Sequence, residues 1–177
     1  GGDQVYSDSM WQLVPSLREW SAKGREDRQA TKWTGTMEKQ VTEFYENLYL
    51  QRWAQPAVAN MMAVIPSVMM WDDHDIFDGW GSYPEKDHFC PVYQGIFGVA
   101  KRYFSIFQQH CTPGGALPPS AVPAQGGFSA IYRIGKLCLL ALDMRSERQP
   151  EHMAAGNDWH SAQVVSNASW DAVYGLL

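Results

Sequence analysis

Trp71-Asp72-Asp73-His74-Asp75 constrains this chain more than any other stretch. Three carboxylates and an imidazole crowd into four positions, directly after the apolar run Val68-Met69-Met70. Carboxylates that close repel one another and raise each other's pKa. Whatever fold the chain adopts must offset that repulsion, and a bound cation is the usual means. An acidic helix start, in which Asp72 or Asp73 caps and the others favour the dipole, is the alternative. A second acidic loop, Gly2-Asp3-Gln4-Val5-Tyr6-Ser7-Asp8, lies near the start of the chain. The two loops together read as parts of one metal site.

Composition narrows the class. A length of 177 residues predicts one domain over 1–177 with a sizeable core. Eight tryptophans mean a well-filled core or a cleft lined with rings. A net charge of −5 argues against a nucleic-acid-binding surface and suits a site that holds cations. No run approaches the ~18 apolar residues of a membrane span. The three cysteines, Cys90, Cys111 and Cys138, have no CxxC spacing and read as free thiols. Location and oligomeric state stay open, with the cytoplasm favoured.

Met37, Val41, Phe44, Tyr45, Leu48 and Arg52 recur at helical spacing, with Thr36 as the start and Pro56 just past the end. Leu13–Trp20 predicts a short helix, and Ser21–Gly35 a surface loop or short helix. Val92–His110 predicts a second long helix, with Ile96, Val99, Ala100, Tyr103, Phe104 and Phe107 on one side. Val68–Trp71 reads as a short buried strand, which would set the acidic motif at a strand's C-terminal end. Alternation would then turn Trp71 and Asp73 one way, Asp72 and His74 the other. Gly79–Pro84 and Thr112–Gly127 predict loops. Phe128–Ile134 and Leu137–Asp143 predict a hairpin turning at Gly135-Lys136. Pro150–His160 predicts a polar loop, and Asn167 opens a last helix. Helices with short buried strands define an α/β (α+β layered) class.

Three segments carry the chemistry. In the first, Gly2 allows a tight turn, and Asp3 and Tyr6 come close enough to face one cation. The same residue types also serve as plain turn residues. In the second, a carboxylate of Asp72 or Asp73 binds metal, and His74 protonates or stabilises a phosphate oxygen. The third is Leu142-Asp143-Met144-Arg145-Ser146-Glu147-Arg148. Arginines at a strand end hold phosphate bidentately, or pair with acids as structure. Arg148 is assigned the structural role, and Arg145 stays open between the two. His88, His110, His152 and His160 read as surface histidines.

Taken together, these three segments resemble the PhoD-like (alkaline phosphatase D-like) metallophosphoesterases. The continuation Ile76-Phe77-Asp78-Gly79-Trp80-Gly81-Ser82-Tyr83-Pro84 resembles a branch distinct from the secreted bacterial phosphatases. The resemblance implies a calcineurin-like β-sandwich flanked by helices, with metals at the strand ends. It implies that Asp3 bridges two metal ions, ferric iron (Fe3+) with Ca2+ or another divalent ion. It also implies that Tyr6 binds the ferric ion, that Asp73 stands at a metal-ligand position and that His74 contacts phosphate. The expected activity is hydrolysis of phosphate mono- or diesters. The family pattern further implies one ligand motif before Gly1 and a Gly-Asp-x-His motif after Leu177. These 177 residues are therefore expected to be inactive alone, as the central part of a metallophosphatase domain. The competing expectation is a non-catalytic module that binds a phosphorylated lipid or protein through Phe77, Trp80 and Tyr83.

Overall fold

The computed structural model describes residues 2–112, 115, 118–122, 126–150 and 163–177. The class is α+β: helices dominate, and the described strands form one two-stranded antiparallel sheet. In chain order the helices are α1 (Met10–Leu13), α2 (Pro15–Ser21), α3 (Arg25–Ala30), α4 (Gly35–Trp53), α5 (Pro56–Val64), α6 (Asp73–Ile76), α7 (Glu85–His88) and α8 (Pro91–Phe107). The hairpin of β1 (Ala130–Ile134) and β2 (Leu137–Ala141) follows, then α9 (Asn167–Leu176).

Two long helices carry the core. Along α4, Met37, Val41, Tyr45 and Tyr49 are buried, each four residues on from the last. That spacing keeps one stripe facing inward. The Thr34 side chain accepts from Met37 N at 3.2 Å, so the cap is Thr34 and the helix starts at Gly35, one residue before Thr36. Along α8, Val92, Ile96, Val99, Ala100, Tyr103 and Phe104 form the matching stripe. Stacked rings join the two, with Tyr49 on Phe107 at 4.7 Å and Tyr45 on Tyr103 at 6.2 Å. Gly95 sits on α8 where a Cβ would lie 2.1 Å from the Trp33 ring, so a side chain there would displace the indole.

The hairpin forms as its pattern predicts. Ala130 pairs with Ala141 and Ile134 with Leu137, and Gly135 turns the chain at φ +61°. The last helix likewise opens at Asn167, after a Ser166 cap that accepts from Ser169 N.

The expected Val68–Trp71 strand is not formed. The segment is irregular, and Val68 is 38% exposed. A strand needs a neighbour for its backbone groups. Among the described residues, the partner shown for this segment's backbone is the Gln109 side chain, 3.0 Å from the Met69 carbonyl. The preceding stretch is helix α5, with Pro56 in its first turn. His88 corrects another expectation. It is 6% exposed rather than on the surface, because the last turn of α7 packs its ring 4.4 Å from Trp80. His110 is exposed, and His152 and His160 lie outside the described residues.

Candidate functional site

The acidic motif is a helix start rather than a strand end. Asp72 caps α6 and Asp75 closes a reciprocal capping box, its Oδ2 accepting from Asp72 N at 3.0 Å. The period-two arrangement of side chains therefore does not apply. Asp72 and Asp73 point to a common partner, Arg145.

Asp75 is the buried hub beneath this turn. It accepts from Val5 N at 3.3 Å and Gln108 Nε2 at 2.8 Å, and Gln108 also reaches the Tyr49 hydroxyl at 3.0 Å. Burial raises its pKa, against the pull of these hydrogen bonds. One carboxylate thus ties the N-terminal loop, α6, α8 and α4 together. Ser7 adds a second tie, its hydroxyl within 2.8 Å of the His74 carbonyl and 2.7 Å of the Ile76 carbonyl.

The two acidic loops touch where Gly2 meets Asp72. A Cβ on Gly2 would lie 2.2 Å from the Asp72 Cβ, so only glycine permits this approach. Asp3 follows in the left-handed region at φ 56°, and its Oδ1 is buried without a hydrogen-bond partner. Two overlapping donor groups result. Asp3, Asp72 and Asp73 form one, and Asp73, His74 and Asp78 the other, with the atoms of each group within 4.8 Å of one another. Oxygens and one imidazole are the donors that suit hard or borderline cations, and the orphaned Asp3 oxygen fits such a partner. Partial burial pushes the Asp73 carboxyl up. The Gly79 N–H at 2.8 Å and the Arg145 charge outweigh it and hold the group below its usual range.

His74 belongs to the second group. Its Nδ1 is 2.6 Å from Asp8 Oδ2, a bond that raises the imidazole pKa. Asp8 Oδ1 also accepts from Asp78 N at 2.7 Å. The Tyr6 ring lies 4.7 Å from the His74 ring and is 53% exposed. From Tyr6 a groove of about 830 Å³ runs along α4 past Gln40, Phe44, Asn47 and Arg52. Asp8 is the site residue that sequence reasoning did not assign. Its signal was present, as the last acid of the Gly2–Asp8 loop.

The third motif supplies the scaffold opposite. Asp143 is buried and accepts from Trp71 Nε1 at 2.8 Å, Phe128 N at 2.9 Å, and Arg145 N and Ser146 N at 3.0 Å each. The arginine side chain reaches Asp72, lies 3.0 Å from Asp73 Oδ1, and donates to the Trp80 carbonyl at 2.7 Å. Arg148 packs under Gly81, whose φ is +86°, as structure. Phe77 and Trp80, expected on a contact surface, are core residues: Trp80 stacks on Phe97 and Phe77 lies against Tyr93. Large rings beside an apolar helix gain more by burial than by display.

The described residues therefore define an α+β protein with a carboxylate-rich, candidate cation-holding site. The model of the PhoD related phosphatase family matches residues 1–164, and the chain belongs to that family. An uncharacterized protein of Saccharomyces cerevisiae is 29% identical over 182 residues, covering 84% of this chain and 26% of the relative. The chain thus spans about a quarter of the length of that curated relative. No solved structure matches. No helix among the described residues is long and apolar enough to cross a membrane.

Proposed function

We propose that the parent protein hydrolyses phosphate mono- or diesters through this site, with the help of two metal ions. The observation that supports the reading is the Asp3–Asp72–Asp73 donor group, with His74 and its partner Asp8 beside it. Asp3, Asp72, Asp73 and Tyr6 are the proposed ligands, with ferric iron and Ca2+ or another divalent ion as the proposed pair. When bound, such ions supply charge that neutralises a phosphate and acidify a water to make a nucleophile. His74 works beside them. Its Nδ1 proton is held by Asp8, so the protonated ring offers Nε2–H to an anionic phosphate or leaving oxygen. The Asp8 bond raises the imidazole pKa and so favours the protonated ring. Arg145 contributes a second fixed cation at the same place.

The proposed parent architecture is the calcineurin-like β-sandwich, with residues 1–177 as a central part of one domain. The outer edge of β2 supports it. Leu137-Cys138-Leu139-Leu140-Ala141 is apolar on both faces, and its outer edge has no backbone partner among the described residues. An apolar, uncharged edge of this kind calls for a further strand.

The test is turnover of bis(p-nitrophenyl) phosphate and p-nitrophenyl phosphate by the full-length protein, metal-loaded, against Asp73→Ala. Loss of turnover to background is expected. Undiminished turnover in the variant refutes the assignment of Asp73.

A further inference from the structure

Arg145 stands where a cation would stand. Its side chain is 14% exposed, its Nε binds Asp72 Oδ1, and its Nη2 lies 3.0 Å from Asp73 Oδ1. Both carboxylates belong to the Asp3–Asp72–Asp73 group. Three carboxylates less one guanidinium leave two negative charges, the complement of a divalent ion. The Asp3 oxygen that the guanidinium does not reach is buried and lacks a hydrogen-bond partner.

The arginine is also tied from behind. Its Nη1 donates to the Trp80 carbonyl at 2.7 Å, and its main-chain N–H donates to Asp143 at 3.0 Å. Its fork can leave the two carboxylates without the residue leaving the site.

We propose that Arg145 is an internal counter-cation that holds Asp72 and Asp73 until a divalent ion takes those oxygens from it. The proposal rests on the metal-holding reading above. Its consequence is antagonism. The guanidinium and the ion carry like charge and draw on the same oxygens, and entry of the ion breaks two charge-assisted hydrogen bonds. Removal of Arg145 therefore tightens ion binding. An arginine that merely supports the carboxylates predicts the opposite sign, because Asp72 and Asp73 would splay without it.

The experiment is calorimetric titration of the metal-stripped, full-length protein with Ca2+ and, separately, Mn2+. Arg145→Gln should bind about tenfold to a hundredfold tighter than wild type, the factor set by the charge-assisted bonds no longer displaced. Arg145→Lys, which keeps the charge, should stay near wild type. In EDTA the Gln variant should melt below wild type, and saturating Ca2+ should close that gap. A Gln variant that folds only with Ca2+ supports the proposal. One that stays unfolded in saturating Ca2+ overturns it, as does equal or weaker binding; both leave the metal reading intact. Absence of binding in every variant overturns the proposal and the metal reading together.

Discussion

Asp143→Ala is the perturbation with the largest expected effect on stability. This carboxylate is buried and collects five donors: Trp71 Nε1, the N–H groups of Phe128, Arg145 and Ser146, and the Ser146 hydroxyl at 2.5 Å. Alanine leaves the indole and the Phe128 N–H buried without an acceptor, while the Arg145–Ser146 end of the loop reaches water. A buried donor left unpaired costs about 1–3 kcal/mol, and bonds to charged acceptors are at the high end. Two such donors plus a disordered turn amount to roughly 3–5 kcal/mol, since neighbouring losses do not add in full. Against a typical ~5–15 kcal/mol of total stability this is severe. Urea unfolding followed by tryptophan fluorescence measures it, with Trp71 itself a reporter. The melting temperature should fall by roughly 10 °C or more. Asp143→Asn keeps one oxygen for Trp71 Nε1 but turns an amide toward Phe128 N, so it should lose less than the alanine variant while remaining destabilised. A loss below about 1 kcal/mol for Asp143→Ala refutes the assignment of Asp143 as the anchor between the acidic turn and the Arg145 loop.

Two further perturbations test the contact between the loops. Gly2→Ala puts a Cβ 2.2 Å from that of Asp72, so it should move the Asp3 loop away. Overpacking of this kind costs about 1–3 kcal/mol, and cation binding, read by calorimetry, should weaken; unchanged binding refutes the close approach. Asp8→Asn removes the acceptor that raises the His74 pKa, so the His74 resonances in an NMR titration should move at lower pH than in wild type. Because the folded pKa is the raised one, the stability from this pair is fully present below the unfolded value of about 6.5 and is lost as pH rises through the folded value. The variant should therefore be less stable than wild type at pH 5.5, with a smaller difference at pH 8.5. A difference that grows with pH refutes the pairing.

What the sequence determined by itself is what rests on local rules. The stripes of α4 and α8 follow from apolar residues three and four apart, and the hairpin from two apolar runs around Gly135. Crowded carboxylates need a cation or N–H donors, and the N–H donors are present: Asp72 caps α6, while its carboxylate also lies in a donor group with Asp3 and Asp73. Tertiary structure decided the rest. Val68–Trp71 carries a strand's composition, but a strand exists only where a neighbour takes its backbone groups. Asp75 looked like one more acid of the cluster. Its role as a buried hub depends on Val5 and Gln108, 70 residues before it and 33 after it. The pairing of Asp8 with His74 and of Arg145 with Asp72 and Asp73 likewise joins segments 66–73 residues apart. No local spacing encodes such contacts, because they form only once packing has brought the loops together.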